Sequence, residues 1–455
     1  MTTDLLELRR ALHPVLGDVA LPQSAWDGPR SWWRGPLDVE GLAIGSLVAV
    51  ATSLTALEAS RGRTSEFTTS SELIAASFDS IRQLRLNGAA ADIWAPMSGF
   101  HATADGWVRL HANYPHHAAR LLSALGLSTP EDLGSALRER AALDVEAAVR
   151  AGGGVAAAVR SPEEWAASPM GRASADEPWI AVILDDVAPK ARERTAPPSS
   201  APLTGVRILD FTRVIAGPSA TRLLAALGAD VLRVDPPQLP ELLDAHLDTD
   251  FGKRSALADL RIPEQLERIG ALASEADVVL LGYRSAGLAR FGLDAASLRA
   301  EHPQLAVVSI NAWGMEGPWR DGRGFDSIVQ AACGIAHLCG AASDGEWRPG
   351  ALPVQALDHA TGMGMAAAAV ALLAARRRGV VGSAHLSLIA TANQLLRAVP
   401  APGEPVTLPV PLRQASSDYG ELDFVPPPLR IGGQQLEYPH PPELYGSSPL
   451  RWLPR

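Results

Sequence analysis

The stretch Gly205-Val-Arg-Ile-Leu-Asp-Phe-Thr-Arg-Val-Ile-Ala-Gly-Pro218, running on through Leu223 to Asp235, constrains the fold more than any other part of the chain. Val206 to Phe211 is a short apolar run of strand type. Gly217-Pro218 opens a helix where proline's missing N–H costs nothing, and Gly228 closes it before a second strand. This strand–helix–strand start predicts a parallel sheet, and the free N–H groups of such a helix favour an anion such as a phosphate. Asp235 ends the second strand, where a dinucleotide fold keeps its ribose-binding acid. Arg213 to Pro218 has one glycine where G-x-G-x-x-G needs three, which argues against NAD.

With 455 residues and 47% hydrophobic content the chain can bury a large core, and two or more lobes are expected. Its net charge of −10 argues against wholesale nucleic-acid binding but leaves room for local basic clusters. Cys333 and Cys339 are the only cysteines, too few for a disulfide framework and without the spaced partners of a zinc site, so no metal is expected. Met1 to Arg10 lacks the apolar core of a signal peptide, and a cytoplasmic location is the expectation. Met363 to Ala375 reads as a buried core helix, too short to cross a membrane, and no membrane partner is expected.

The Pro/Ser-rich segment 196–202 separates two halves of different character. Residues 1–35 read as an N-terminal helical extension, 36–195 as a smaller-domain half, 203–400 as a nucleotide-fold half, and 401–455 as a proline-rich extended strap. Within 203–400, strand-like runs Val206–Phe211, Val231–Val234, Val278–Leu281 and Leu305–Ile310 alternate with helical stretches such as Pro263–Glu275. The expected fold is α/β, a Rossmann-like parallel sheet with flanking helices plus a smaller α+β domain. Leu37-Asp38, the apolar helix after it and Arg61-Gly62 echo Leu357-Asp358, its apolar helix and Arg378-Gly379, a weak internal repeat.

These segments resemble the family III CoA-transferases of the formyl-CoA and carnitine CoA-transferase type. The resemblance rests on the first strand with its Thr-x-x-x-Ala-Gly-Pro loop and the Leu-Gly-Ala-Asp-Val strand. It extends to Gly99-Phe-His-Ala-Thr-Ala-Asp-Gly-Trp107, Ser161-Pro-Glu-Glu-Trp165 and the closing Pro428-Leu-Arg-Ile-Gly-Gly433. The halves stand in permuted order relative to that family, because 36–195 resembles what normally follows the catalytic helix, with a degenerate copy of that helix. The resemblance implies an interlocked homodimer, acyl-CoA and a small carboxylic acid as substrates, coenzyme A as the shared group, and no prosthetic cofactor.

It also implies roles for particular residues. Asp358, in Leu352-Pro-Val-Gln-Ala-Leu-Asp-His-Ala-Thr-Gly362, takes the place of the family's nucleophile, while its echo Asp38 lacks the Pro-Val-Gln context. Val214 and Ile215 lie in the loop whose backbone N–H groups are expected to face the ligand. Phe251-Gly-Lys-Arg-Ser255 implies Lys253 and Arg254 as CoA contacts, and Leu281 to Gly292 implies Tyr283, Arg284, Arg290 and Phe291. Arg323 precedes Gly324-Phe-Asp326 as a further basic contact, with Asp326 an acid near the site. Gly282, Ser285 and Pro236 depart from the family's usual Asn, Pro and basic residue. A racemase-like isomerase is disfavoured because Phe325 stands where such enzymes have histidine. A non-catalytic acyl-CoA-binding relative stays open. His111, His116 and His117 read as structural, and Gly152-Gly-Gly154 as an ordinary helix break.

Overall fold

The structure is a computed structural model that describes residues 5–17, 25–185, 201–343, 345–400 and 403–454. Helix α1 (Val39–Ser60) is apolar on all sides and almost wholly buried, as such a helix must be. Its polar members are satisfied locally, Ser46 and Thr52 donating to the carbonyls of Ala43 and Val48 at 2.8 Å. A small antiparallel sheet follows, built from β1 (Gly99–Ala102) and β2 (Trp107–Leu110). Helix α2 (Pro115–Leu125) packs on it, and strand β3 (Ala156–Ala158) completes it beside β2. Val108, Leu110, Leu121, Val145 and Val149 give this unit a core of its own.

The last described strand before the break, β4 (Ala181–Asp185), does not stay with that unit. The seven-stranded main sheet contains β5 (Arg207–Phe211), joined through α3 (Ala216–Ala226) to β6 (Asp230–Asp235). It continues with β7 (Arg254–Leu257), β8 (Val278–Leu281) and β9 (Ala306–Asn311). Helix α4 (Asp326–Ala332) and the long α5 (Ala356–Arg376) then lead to β10 (Val381–Ser387). The order across the sheet is β7-β6-β5-β8-β9-β10-β4. All neighbours are parallel except β4, which runs antiparallel to β10 with Ala181 opposite His385. Strand order reverses between β5 and β8, and a doubly wound sheet opens its ligand crevice at that point.

The alternating pattern of the sequence therefore yields the parallel sheet and flanking helices it predicts. Residues 196–200 of the linker lie outside the described residues. What the sequence did not show is that the first half supplies an edge strand to the second half's sheet. The core helix is also longer than its apolar run suggests. By length and composition alone both α1 and α5 are long enough to cross a membrane, yet their most apolar windows are 89% and 100% buried inside the protein. The tail is more than an extended strap. It forms a hairpin, Arg413–Ser417 with Gly420–Phe424, pairs Arg430 with Thr68, and accepts a 2.7 Å bond from Arg254 Nη1 at the Arg451 carbonyl.

Close helix packing sets the position of α5. A Cβ on Gly362 would fall 2.3 Å from the carbonyl oxygen of Ala216 at the start of α3, so only glycine lets the two backbones meet. Gly362→Ala is expected to cost about 1–3 kcal/mol through overpacking, read as a lower Tm.

Candidate active site

The loop before α3 is built by one buried carboxylate. Asp210 accepts from Thr212 N at 2.9 Å and Thr212 Oγ1 at 2.5 Å, and its other oxygen accepts from Thr221 Oγ1 at 2.5 Å. Gly217 is required here, because a Cβ would lie 2.3 Å from that of Thr212. Val214 has φ +71°, a conformation that costs a β-branched residue about 1–3 kcal/mol. Its N–H donates to Glu241 Oε2 at 2.9 Å. That amide is therefore engaged within the protein and is not free for a ligand, contrary to the expectation for Val214. The N–H groups of Ala216 and Gly217, in the first turn of α3, have no carbonyl of their own helix to bond, and both residues line the cavity.

A cavity of about 860 Å³ opens over the C-terminal ends of the parallel strands. It brings together Val214, Tyr283, Arg284, Arg290, Phe291, Arg323 and Asp358. Three of the expected contacts are not on its wall. Ile215 is the residue preceding α3 and does not line the cavity. Lys253 is fully buried, with Nζ 2.9 Å from Thr221 Oγ1 and 3.1 Å from Asp250. Arg254 turns to the other side and grips Asp230 at 2.6 Å. Both cations are used to hold the fold, so the expectation that they contact CoA is not met in this geometry. Asp235 is likewise committed, to Arg233 at 2.7 Å and the Tyr283 hydroxyl at 2.7 Å.

Other residues of the wall were not foreseen. Tyr114, His116, His117 and Arg120 come from α2 and the residue before it, in the first half, and Ser309 and His385 from adjacent strands β9 and β10. His116 and His117 are thus wall residues as well as packing residues, and burial pushes His117 down to about 2, so its imidazole is neutral. The carbonyl of Gly153 accepts from Arg323 Nη1 at 2.9 Å and Arg120 Nη1 at 3.2 Å, so the glycine turn reaches the site. Burial, then the charges of Arg284 and Arg120, lower the Arg323 guanidinium to about 10. Cations crowded in this way favour an anionic ligand. The signal available in the sequence was the density of His and Arg on one helix.

Asp358 sits in the first turn of α5 and is 6% exposed. No hydrogen bond to its carboxylate is found among the described residues. Asp326 caps the helix from outside, accepting from the backbone N–H of Leu357 at 2.9 Å and of Asp358 at 3.0 Å. Burial raises Asp326 to about 6 against the bonds it accepts, and burial followed by the Asp326 charge raises Asp358 well above the usual carboxylate range. Phe325, beside Asp326, stacks on His111 at 3.7 Å. The echo residue differs in kind. Asp38 accepts from Gly41 N at 2.9 Å and pairs with Arg30 at 2.6 Å, as an ordinary neutralised N-cap. Among the described residues no group of three His, Cys, Asp or Glu side chains is placed to hold a metal ion.

The doubly wound sheet thus places cationic side chains and, among the described residues, a carboxylate without a hydrogen bond around one crevice. Residues 203–401 match the model of CoA-transferase family III. Succinate–glutarate CoA-transferase of Agrobacterium fabrum is 36% identical over 197 residues, covering 39% of this chain and 48% of that enzyme. Human succinyl-CoA:glutarate CoA-transferase is 32% identical over 174 residues, covering 36% and 40%. The crystal structure of Rv3272 from M. tuberculosis aligns with a TM-score of 0.40 at 33% identity, over 43% of this chain and 57% of that one. The chain spans about half the length of the curated relatives it matches.

Raised carboxyl pKa values set a sign for stability. Such a group stabilises the fold fully below its unfolded value near 3.9 and loses that contribution as pH rises through its folded value. Asp358→Asn is therefore expected to stabilise the protein at pH 8 by roughly 1–3 kcal/mol, the cost of a buried charge without a partner, read as a higher Tm. The gap between variant and parent is expected to close as the pH is lowered towards 4.

Proposed function

We propose that the protein transfers coenzyme A between an acyl-CoA thioester and a small carboxylic acid, with Asp358 as nucleophile. The observation that carries this reading is the unbonded carboxylate of Asp358 on the wall of a cation-lined cavity, in a domain that matches CoA-transferase family III. The ionised carboxylate attacks the thioester carbonyl, and the C–S bond breaks to release CoA thiolate and leave a mixed anhydride. Thiolate attack on the Asp358 carbonyl then expels the donor acid and forms an Asp358–CoA thioester. The acceptor carboxylate repeats the two steps in reverse, forming the new acyl-CoA and restoring Asp358. The elevated pKa of Asp358 makes the reacting oxygen more basic, while the N–H groups of Ala216 and Gly217 are the donors proposed for the oxyanion.

Arg284, Arg290 and Arg323 are proposed to hold the phosphates, with Tyr283 and Phe291 as flat surfaces beside them. Two free thiols fit a cytoplasmic setting, and a homodimer belongs to the same reading.

On incubation with acyl-CoA, the parent protein is expected to gain the mass of an acyl or CoA adduct on Asp358, and acid-to-CoA exchange to rise with pH. Asp358→Asn abolishes both, whereas Asp38→Asn keeps them. Exchange retained in Asp358→Asn excludes the nucleophile, and no adduct on the parent favours a non-catalytic binding protein. Alanine at Arg284, Arg290 or Arg323 is expected to weaken CoA binding by about 1–3 kcal/mol each, more strongly at low salt. Lys253→Met instead lowers Tm, since it strips a cation from Asp210 and Asp250.

A further inference from the structure

Glu241 is bonded by more parts of the chain than the cavity itself would require. Its side chain is fully buried, and it does not line the cavity. Oε2 accepts from Val214 N at 2.9 Å and from Arg233 Nη2 at 3.2 Å. Oε1 accepts from the Tyr114 hydroxyl at 2.5 Å and from Leu242 N at 2.9 Å, with Arg213 3.6 Å away. The backbone N–H of Glu241 donates to the Tyr445 hydroxyl at 3.1 Å. One residue therefore joins the first half through Tyr114, the main sheet through Arg233, the tail through Tyr445, and the cavity loop through Val214.

The bond to Val214 is the informative one. Valine at φ +71° sits in a region that β-branched side chains avoid, and persists only where the surroundings hold it. On one side the guanidinium of Arg213 lies 4.5 Å over the Tyr114 ring, and on the other Ala216 and Gly217 begin α3. Arg213, Val214, Ala216 and Gly217 all face the cavity. If Val214 relaxed to negative φ, its N–H would leave Glu241 and the loop would turn away from its present path.

We propose that Glu241 is a positioning residue that holds the cavity loop in its strained form and makes that form depend on the docking of the first half through Tyr114. Glu241 touches no ligand; it acts through the Val214 amide. The inference rests on the CoA reading only for the probe used to measure binding.

A rescue experiment separates this role from plain stabilisation, because glycine adopts positive φ without support. Coenzyme A binding is measured by calorimetry for the parent, Glu241→Gln, Val214→Gly and the double variant. The dissociation constant is expected to rise about tenfold in Glu241→Gln and to return within about threefold of Val214→Gly in the double variant. A structural defect around Arg233 would not be repaired by glycine at 214. Should Glu241→Gln not fold, Glu241→Asp replaces it, since it keeps the charge by Arg233 while withdrawing from Val214 N–H. A crystal structure of the Glu241 variant is expected to show Val214 at negative φ. Val214 still at positive φ, or a double variant as weak as the single one, overturns the proposal. If the parent does not bind CoA, the CoA reading fails, and the conformation of Val214 in the variant structure still decides the role of Glu241.

Discussion

The packing of α1 against α5 is the contact on which the rest of the molecule depends. Two helices without a polar face can be stable in water only by burying each other, and here one comes from each half. The face of α5 turned to the main sheet meets α3, with Gly362 against the Ala216 carbonyl. Asp358 is thus carried on a helix clamped from both sides, and its place relative to the cavity loop is fixed by backbone contacts rather than by side chains of its own. Its raised pKa comes from this burial on the cavity wall and from the nearby charge of Asp326.

A second layer of order is electrostatic. Arg233 is fully buried among Asp235, Glu241 and Asp250, and Asp250 also meets Lys253 and His246. Such a network costs several kcal/mol to desolvate and is weak evidence for net stability, but it leaves few alternative arrangements of equal energy. It reaches the crevice at two points, Lys253 Nζ 3.5 Å from Asp210 on β5 and Glu241 accepting from the Val214 N–H of the loop.

Much of the fold was legible because it is written in local patterns. The strands 278–281 and the helix 263–275 appear with the ends that the apolar runs predict, and Gly217-Pro218 marks the helix start to within a residue. The place of Asp358 on the cavity wall was anticipated too, since a motif singles it out. Cations were harder. Lys253 and Arg290 look alike in sequence, and only the surrounding acids decide that one is folded inward while the other faces the cavity. The share of the site supplied by α2 was not legible at all, because a contact between residue 114 and residue 241 leaves no trace in either segment. The same holds for β4, whose pairing with β10 joins residues about two hundred positions apart.

The early position of α1 in the chain has a kinetic side. During synthesis this helix is complete long before α5 exists, and roughly three hundred residues must emerge before its partner can cover it. A loop of that length adds little to the equilibrium cost of closure, which grows only with the logarithm of length, but it delays the moment when the contact can form. For that interval the nascent chain keeps the face of this apolar helix that α5 will cover exposed, the kind of surface that aggregates or recruits a chaperone. The arrangement that shields the carboxylate in the finished protein is therefore also what makes its assembly slow and exposed.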